Sequence, residues 1–116
     1  MRGGALDLAI ERDDRLIGEI GTYAEPGREM RPGLFFLSIG LFLPEDRGQG
    51  SGTQAIQLMC DWLVRVGGAD RIESGTAVTN IAMRRVFEKL GFLYEGVETS
   101  WGVDWARYSL TPATAA

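Results

Sequence analysis

The chain has 116 residues, 45% of them hydrophobic and 24% charged, with sixteen acidic side chains against twelve basic ones and a net charge of −4. That is room for a single domain, residues 1–116, with a modest core, and the acidity speaks against a nucleic-acid surface. There is no histidine and one cysteine, Cys60, which removes Ser-His and Cys-His pairs, the usual zinc sites and an internal disulfide.

Leu6 to Glu11 reads as a strand, Asp13-Asp14 as a turn and Leu16 to Tyr23 as a second strand, so the two are expected to form a hairpin. Pro26-Gly27 and Pro32-Gly33 bracket a loop. Leu34 to Leu43 is a near-continuous apolar run, expected as a strand buried on both faces. Broken by Ser38 and Gly40, it falls short of a membrane span, and no secretory leader is recognisable, so a cytoplasmic protein is expected. The stretch Arg47-Gly48-Gln49-Gly50-Ser51-Gly52-Thr53 follows. From Thr53 the apolar period lengthens: Ala55, Ile56, Met59, Trp62, Leu63 and Val66 form one helical stripe, ended by Gly67-Gly68. Arg71 to Val78 reads as a strand, with Ile72, Ser74, Thr76 and Val78 on one face and Glu73, Gly75 and Ala77 on the other.

Thr79 or Asn80 can cap a second helix whose stripe is Met83, Val86, Phe87 and Leu90, and Gly91 suits its left-handed end. Tyr94 to Thr99 and Asp104 to Leu110 suggest a closing hairpin around Gly102, with a loose tail from Thr111. The class is α+β: a mixed, largely antiparallel sheet with two helices, in the order β-β-β-α-β-α-β-β.

Glycine at the density of the 48–52 loop costs backbone entropy, so a function for bare backbone is expected. A strand feeding such a loop and then a helix aims free amides and the positive helix end at one point, an anion site; a tight turn that binds nothing is the plain alternative. A nucleotide-hydrolase loop would need a lysine where Thr53 follows Gly52. A dinucleotide fingerprint would need a glycine at Thr53, and only one β-α-β unit fits.

Arg47-Gly48-Gln49-Gly50-Ser51-Gly52 reads as Arg/Gln-x-x-Gly-x-Gly/Ala, and resembles the pyrophosphate loop of the GNAT superfamily of acyl-CoA N-acyltransferases. Asn80 through Glu88-Lys89-Leu90-Gly91-Phe92, with Tyr94-Glu95-Gly96 after it, resembles the second half of that fold. Gly102-Val103-Asp104 with Tyr108-Ser109-Leu110 is similar to the closing hairpin of its Rim-type branch, which acetylates protein N-termini and other amines. The likeness covers Leu6 to Leu110.

The resemblance implies direct acetyl transfer from acetyl-CoA to an amine, a protein N-terminus or a small amine, with no metal. A coenzyme A binding domain without turnover is the alternative. It implies a wedge between the strand before the loop and the next parallel strand, with the pantetheine arm pairing to Leu41, Phe42 and Leu43. The pyrophosphate would lie on the backbone of Gly48, Gln49, Gly50, Ser51, Gly52 and Thr53. Arg47 would add charge there or pair with Glu45. Asn80 would hold the arm as well as cap its helix. Arg84 or Arg85 would approach the adenosine phosphates, or lie on a solvated helix face, and Phe87 would lie along the donor. The Leu41 amide would stabilise the oxyanion. Glu73 stands where relatives carry a base, or is an exposed strand glutamate.

Relatives often place a tyrosine at Phe87 or a serine at Met83 to protonate the leaving sulfur. This chain has neither, leaving Tyr94 and Tyr108 as substitutes or, in the plainer reading, as packing or hairpin residues. Cys60 is expected in the core. The loop with Arg28, Glu29 and Arg31 is expected to border the acceptor. By the resemblance the chain starts at the family's second strand, short of its first strand and two helices: either it is a truncated product, or another subunit supplies the missing wall. An uncovered sheet edge and apolar face lead us to expect a homo-oligomer, most simply a dimer.

Overall fold

The fold is taken from a computed structural model, which describes residues 6–24, 28–41, 43–48 and 50–112. Strands β1 (Leu6–Arg12), β2 (Arg15–Tyr23) and β3 (Leu34–Leu41) lead through a 3-10 turn (Pro44–Asp46) to helix α1 (Ser51–Arg65). Strand β4 (Arg71–Ala77), helix α2 (Ile81–Lys89), and strands β5 (Leu93–Ser100) and β6 (Val103–Leu110) complete it. This is the expected element order and class. One six-stranded sheet runs β1-β2-β3-β4-β6-β5, and its one parallel pair is β3 with β4.

Local chemistry sets the turns. Asp13 and Asp14 adopt φ of 54° and 63°, the left-handed pair that a tight hairpin requires and that short polar side chains tolerate. Gly91 ends α2 at φ 91°, as expected for a C-terminal glycine. The Asn80 side chain accepts from the Met83 amide at 3.2 Å and so caps α2.

Both helices lie on one face of the sheet. Ile56, Met59, Cys60 and Leu63 of α1 and Phe87 of α2 share a core with Ile17, Ile20, Leu37, Ile72, Ala106 and Tyr108. Here the expected α1 stripe needs correcting: Trp62 and Val66 are exposed, and Cys60 takes the inward place. Burial, followed by the Asp61 charge, pushes the Cys60 thiol up to about 12, so it is a packed apolar group and not a nucleophile.

The opposite, helix-free face carries Tyr23, Phe36, Glu73, Trp105 and Arg107, placed by the alternation of β2, β3, β4 and β6. The Arg28 guanidinium lies 5.2 Å over the Phe36 ring and closes that aromatic off from solvent.

The apolar run at β3 is buried only over its first half. Leu34, Phe36 and Leu37 are buried, whereas Ser38 and Gly40 are exposed. The reason is topological. Strands β3 and β4 pair only from Leu34 with Arg71 to Phe36 with Glu73. Beyond that, Ser74 Oγ donates to the Leu37 carbonyl at 2.7 Å, and the two strands part. β3 continues along β2 as far as Leu41, while β4 follows β6 as far as Ala77.

Candidate active site

Where β3 and β4 separate, the sheet opens as a wedge. A cleft of 490 Å³ occupies its helix side, lined by the end of β3 (Ile39, Gly40, Leu41), the loop (Arg47, Gly48, Gly50), the start of α1 (Gly52, Thr53) and one stripe of α2. The wedge therefore brings together the two sequence motifs, which lie thirty residues apart, because α1 and α2 both begin at the open end of the parallel strand pair. Parallel strands joined by a helix crossover place both loops on the same side of the sheet.

The loop presents bare backbone at an uncapped helix start. Gly48 and Gly50 have φ of 74° and 83°, and a Cβ on either would meet nothing within 4 Å. Packing therefore does not demand glycine here; the left-handed backbone and its open surroundings do. Gly50 is also the N-cap of α1, and it has no side chain to satisfy the first-turn amides. Those amides and the positive end of the helix face the cleft at Gly52 and Thr53. The contrast with α2, capped by its own asparagine, is direct. A phosphate-bearing donor fits this donor set.

A second anchor fixes the loop from outside. Asp46 is 1% exposed. Its Oδ1 accepts from Arg12 Nη2 at 2.9 Å and its Oδ2 from Arg15 Nη1 at 3.1 Å. Arg12 also donates to Ser51 Oγ at 2.8 Å. The hydrogen bond from Arg15 and the two guanidinium charges outweigh burial and hold the Asp46 carboxyl below the ordinary aspartate value. The β1–β2 hairpin thus grips both ends of the glycine loop.

The expected site residues divide as follows. Leu41, Arg47, Gly48, Gly50, Gly52, Thr53 and Asn80 all line the cleft. Arg47 reaches back to within 3.5 Å of the Leu41 carbonyl. Phe42 and Gln49 lie outside the described residues. Leu43 is exposed at the start of the 3-10 turn and not on the cleft wall. The Ser51 hydroxyl is turned to Arg12, away from a donor.

Arg84 is spent on structure: it donates to the Val78 carbonyl and the Tyr108 hydroxyl, both at 3.1 Å. Arg85 is exposed and off the cleft wall. Phe87 is a correction. Its ring is fully buried against Phe92 and Tyr108, with centroids at 5.1 and 5.2 Å, so the core occupies it and no ligand reaches it.

The acid and base expectations change most. Tyr94 packs against Tyr108 and under the Arg84 guanidinium, outside the cleft, and Tyr108 is fully buried. Glu73 is not an exposed strand glutamate. It is 8% exposed, and its Oε2 accepts from Arg71 at 2.9 Å and Arg28 at 3.2 Å, with Arg107 3.9 Å from Oε1. Burial pushes its carboxyl up, but the bonds from Arg71 and Arg28 outweigh it and leave the group below the ordinary glutamate value. A carboxylate neutralised in this way is a weak base. Of the loop arginines, Arg28 joins this network while Arg31 pairs with Asp70.

Sequence reading missed two residues. Lys89 lines the cleft as the next step of the Ala82–Val86 stripe, and that helical period was the signal. Asp46 had no local signal, because its partners lie 31 and 34 residues away.

Among the described residues no group of His, Cys, Asp or Glu side chains is arranged to hold a metal, and no helix is long and apolar enough to cross a membrane.

Comparison with known proteins agrees with this geometry. The family described as acetyltransferase (GNAT) domain matches residues 1–93. The probable N-acetyltransferase YjcK of Bacillus subtilis (strain 168) is 36% identical over 86 residues, covering 73% of this chain. The matched segment spans 45% of that protein's length. Among solved structures, the aminoglycoside acetyltransferase AAC(6')-Ib in complex with coenzyme A superposes with a TM-score of 0.79 at 20% identity, over 95% of this chain and 68% of that one. The ribosomal-protein-S5-alanine acetyltransferase from Vibrio fischeri gives 0.79 at 18% identity, over 93% and 62%. The two structures show the fold. By the match of its sequence and the wedge that carries its motifs, the chain belongs to the GNAT acetyltransferase family.

Proposed function

We propose that this domain is an acetyl-CoA-dependent N-acetyltransferase that passes an acetyl group directly to an amine, a small amine or a protein N-terminus. One observation carries the reading: the uncapped start of α1, reached through two left-handed glycines, faces the wedge between β3 and β4. Amides of Gly48, Gly50, Gly52 and Thr53 would hold the pyrophosphate, with Arg47 and Lys89 adding positive charge. The backbone of Ile39 to Leu41 would pair with the pantetheine arm as an added strand would, and Asn80 would hold the arm from the other side. The thioester then lies at the throat of the wedge.

There the neutral amine nitrogen forms a bond to the carbonyl carbon, the carbon–sulfur bond breaks to release coenzyme A as its thiolate, and the proton lost by the nitrogen passes through water to that sulfur. A strand amide at Leu41 would take the developing oxyanion. With Glu73 paired and Tyr94 outside the cleft, the rate rests on positioning more than on a dedicated acid or base.

That same pairing of Glu73 favours a second reading, a domain that binds acyl-CoA without turnover. Thermal melting with acetyl-CoA, followed by thiol release across a panel of amines, tests both. A melt shift with amine-dependent release is expected. A shift without release leaves the binder, and no shift overturns the reading.

The domain is further proposed to act as a homodimer. Strand β1 is a sheet edge, and Leu8, Leu58 and Trp62 stand exposed around an apolar groove of 530 Å³ beside it. Sedimentation at micromolar concentration checks this, and a monomer refutes it.

A further inference from the structure

The wedge has a second mouth. On the helix-free face a hollow of 360 Å³ opens against the same strand end, and Ile39 lines both it and the donor cleft. Its walls come from Tyr23, Trp101, Trp105, Glu98 and Arg107, over a floor at Gly75. A Cβ on Gly75 would stand 3.3 Å from Arg107 Nη1, so glycine leaves room for that side chain. Glu98 is the single carboxylate among the described residues of the hollow.

Trp101 is the unusual residue. Its backbone is left-handed at φ 54°, a conformation that bulky side chains avoid, and it is 97% exposed. Two costs thus fall on one residue: turn strain and an indole left in water. An asparagine there would remove both. Trp105, across the hairpin, donates its indole nitrogen to the Ser100 carbonyl at 3.3 Å, which fixes its ring. Glu98 pairs directly with Trp105 and so projects on the same face.

We infer that this hollow seats a primary amine carrying a single positive charge on a flat apolar group, the ammonium against Glu98 and the flat group between the indoles of Trp101 and Trp105. The inference rests on the acetyltransferase reading for the chemistry, and on the hollow alone for the selectivity. A polycation finds one carboxylate among the residues lining the hollow, so its added charges are desolvated without partners. A flat apolar group finds two indoles and a tyrosine ring. Such an acceptor differs in kind from the aminoglycosides bound by one of the structural neighbours.

The test is a matched panel of phenylethylamine, butylamine, spermidine and kanamycin at saturating acetyl-CoA, followed by thiol release. Phenylethylamine is expected to show the highest kcat/KM, about tenfold above butylamine, the scale of one aromatic contact. Trp101→Ala is expected to raise its KM about tenfold while the acetyl-CoA melt shift stays, since Trp101 is absent from the donor cleft. Glu98→Gln is expected to raise KM for phenylethylamine and butylamine alike.

Preference for spermidine or kanamycin, or an unchanged KM in Trp101→Ala, overturns the inference and leaves the acetyltransferase reading in place. If no amine is turned over, calorimetric titration of the intact protein with phenylethylamine and spermidine decides. Selective, Trp101-dependent binding of phenylethylamine upholds the hollow even as the enzyme reading falls, and its absence overturns the inference.

Discussion

Replacing Gly50 with alanine separates a turn from an anion site. Gly50 holds φ 83°, and its added Cβ would meet nothing within 4 Å, so the cost to the free protein is backbone strain alone. A left-handed alanine costs about 1–2 kcal/mol, offset in part by the stiffer unfolded chain, leaving about 1 kcal/mol. For a chain of this length that lowers Tm by about 4 °C.

Gly68, after α1, is the matched control: φ 67°, equally open, and absent from the cleft. Gly68→Ala should cost about the same 4 °C. The ligand separates the two variants. Acetyl-CoA at about 100 times its Kd adds about 2.7 kcal/mol, or about 10 °C, to the natural protein. Gly68→Ala should keep that rise. Gly50→Ala places a methyl group on the amide cradle. A tenfold loss of affinity would cut the gain to about 1.4 kcal/mol, or about 6 °C. Scanning fluorimetry of the three proteins with and without acetyl-CoA reads all of this. Equal ligand shifts in Gly50→Ala and Gly68→Ala would refute the assignment of the loop, whatever the free proteins do.

Glu73 and Tyr94 give two further outcomes. The folded Glu73 carboxyl sits below the ordinary glutamate value, so its contribution to stability is complete above that ordinary value and is lost as pH falls through the folded one. Glu73→Gln should therefore be less stable than the natural protein at pH 7, and the difference should shrink in acid. Urea melts at pH 7 and pH 3 check it, and a gap that widens in acid would contradict the ion-pair assignment. Tyr94→Phe should leave the pH profile of acetyl transfer unchanged, because that hydroxyl is outside the cleft. A lost alkaline limb would restore it as the acid.

The two helices, the hairpin turns and the glycine loop were legible in sequence because each is written in local chemistry. Asp13-Asp14, Asn80 and Gly91 act within a few residues of themselves, and a helical stripe needs only a period. The family motifs were readable for the same reason, as the loop's backbone amides lie on consecutive residues.

What sequence alone left undecided was every property that depends on which strands meet. The apolar run from Leu34 looked uniformly buried, yet pairing with β4 stops at Phe36, and that single event opens the wedge. Glu73 read as a base or a surface residue until Arg28 and Arg107, from other segments, joined its own strand neighbour Arg71 around it. Phe87 shared a stripe with Met83 and Val86, but α2 turns them to the cleft and Phe87 to the core. Asp46 carried no signal, since Arg12 and Arg15 reach it only once the hairpin folds over the loop. Local propensity sets the elements. Charge pairing, burial and the face a residue finally presents are set by contacts between distant segments, which exist only after the chain has packed.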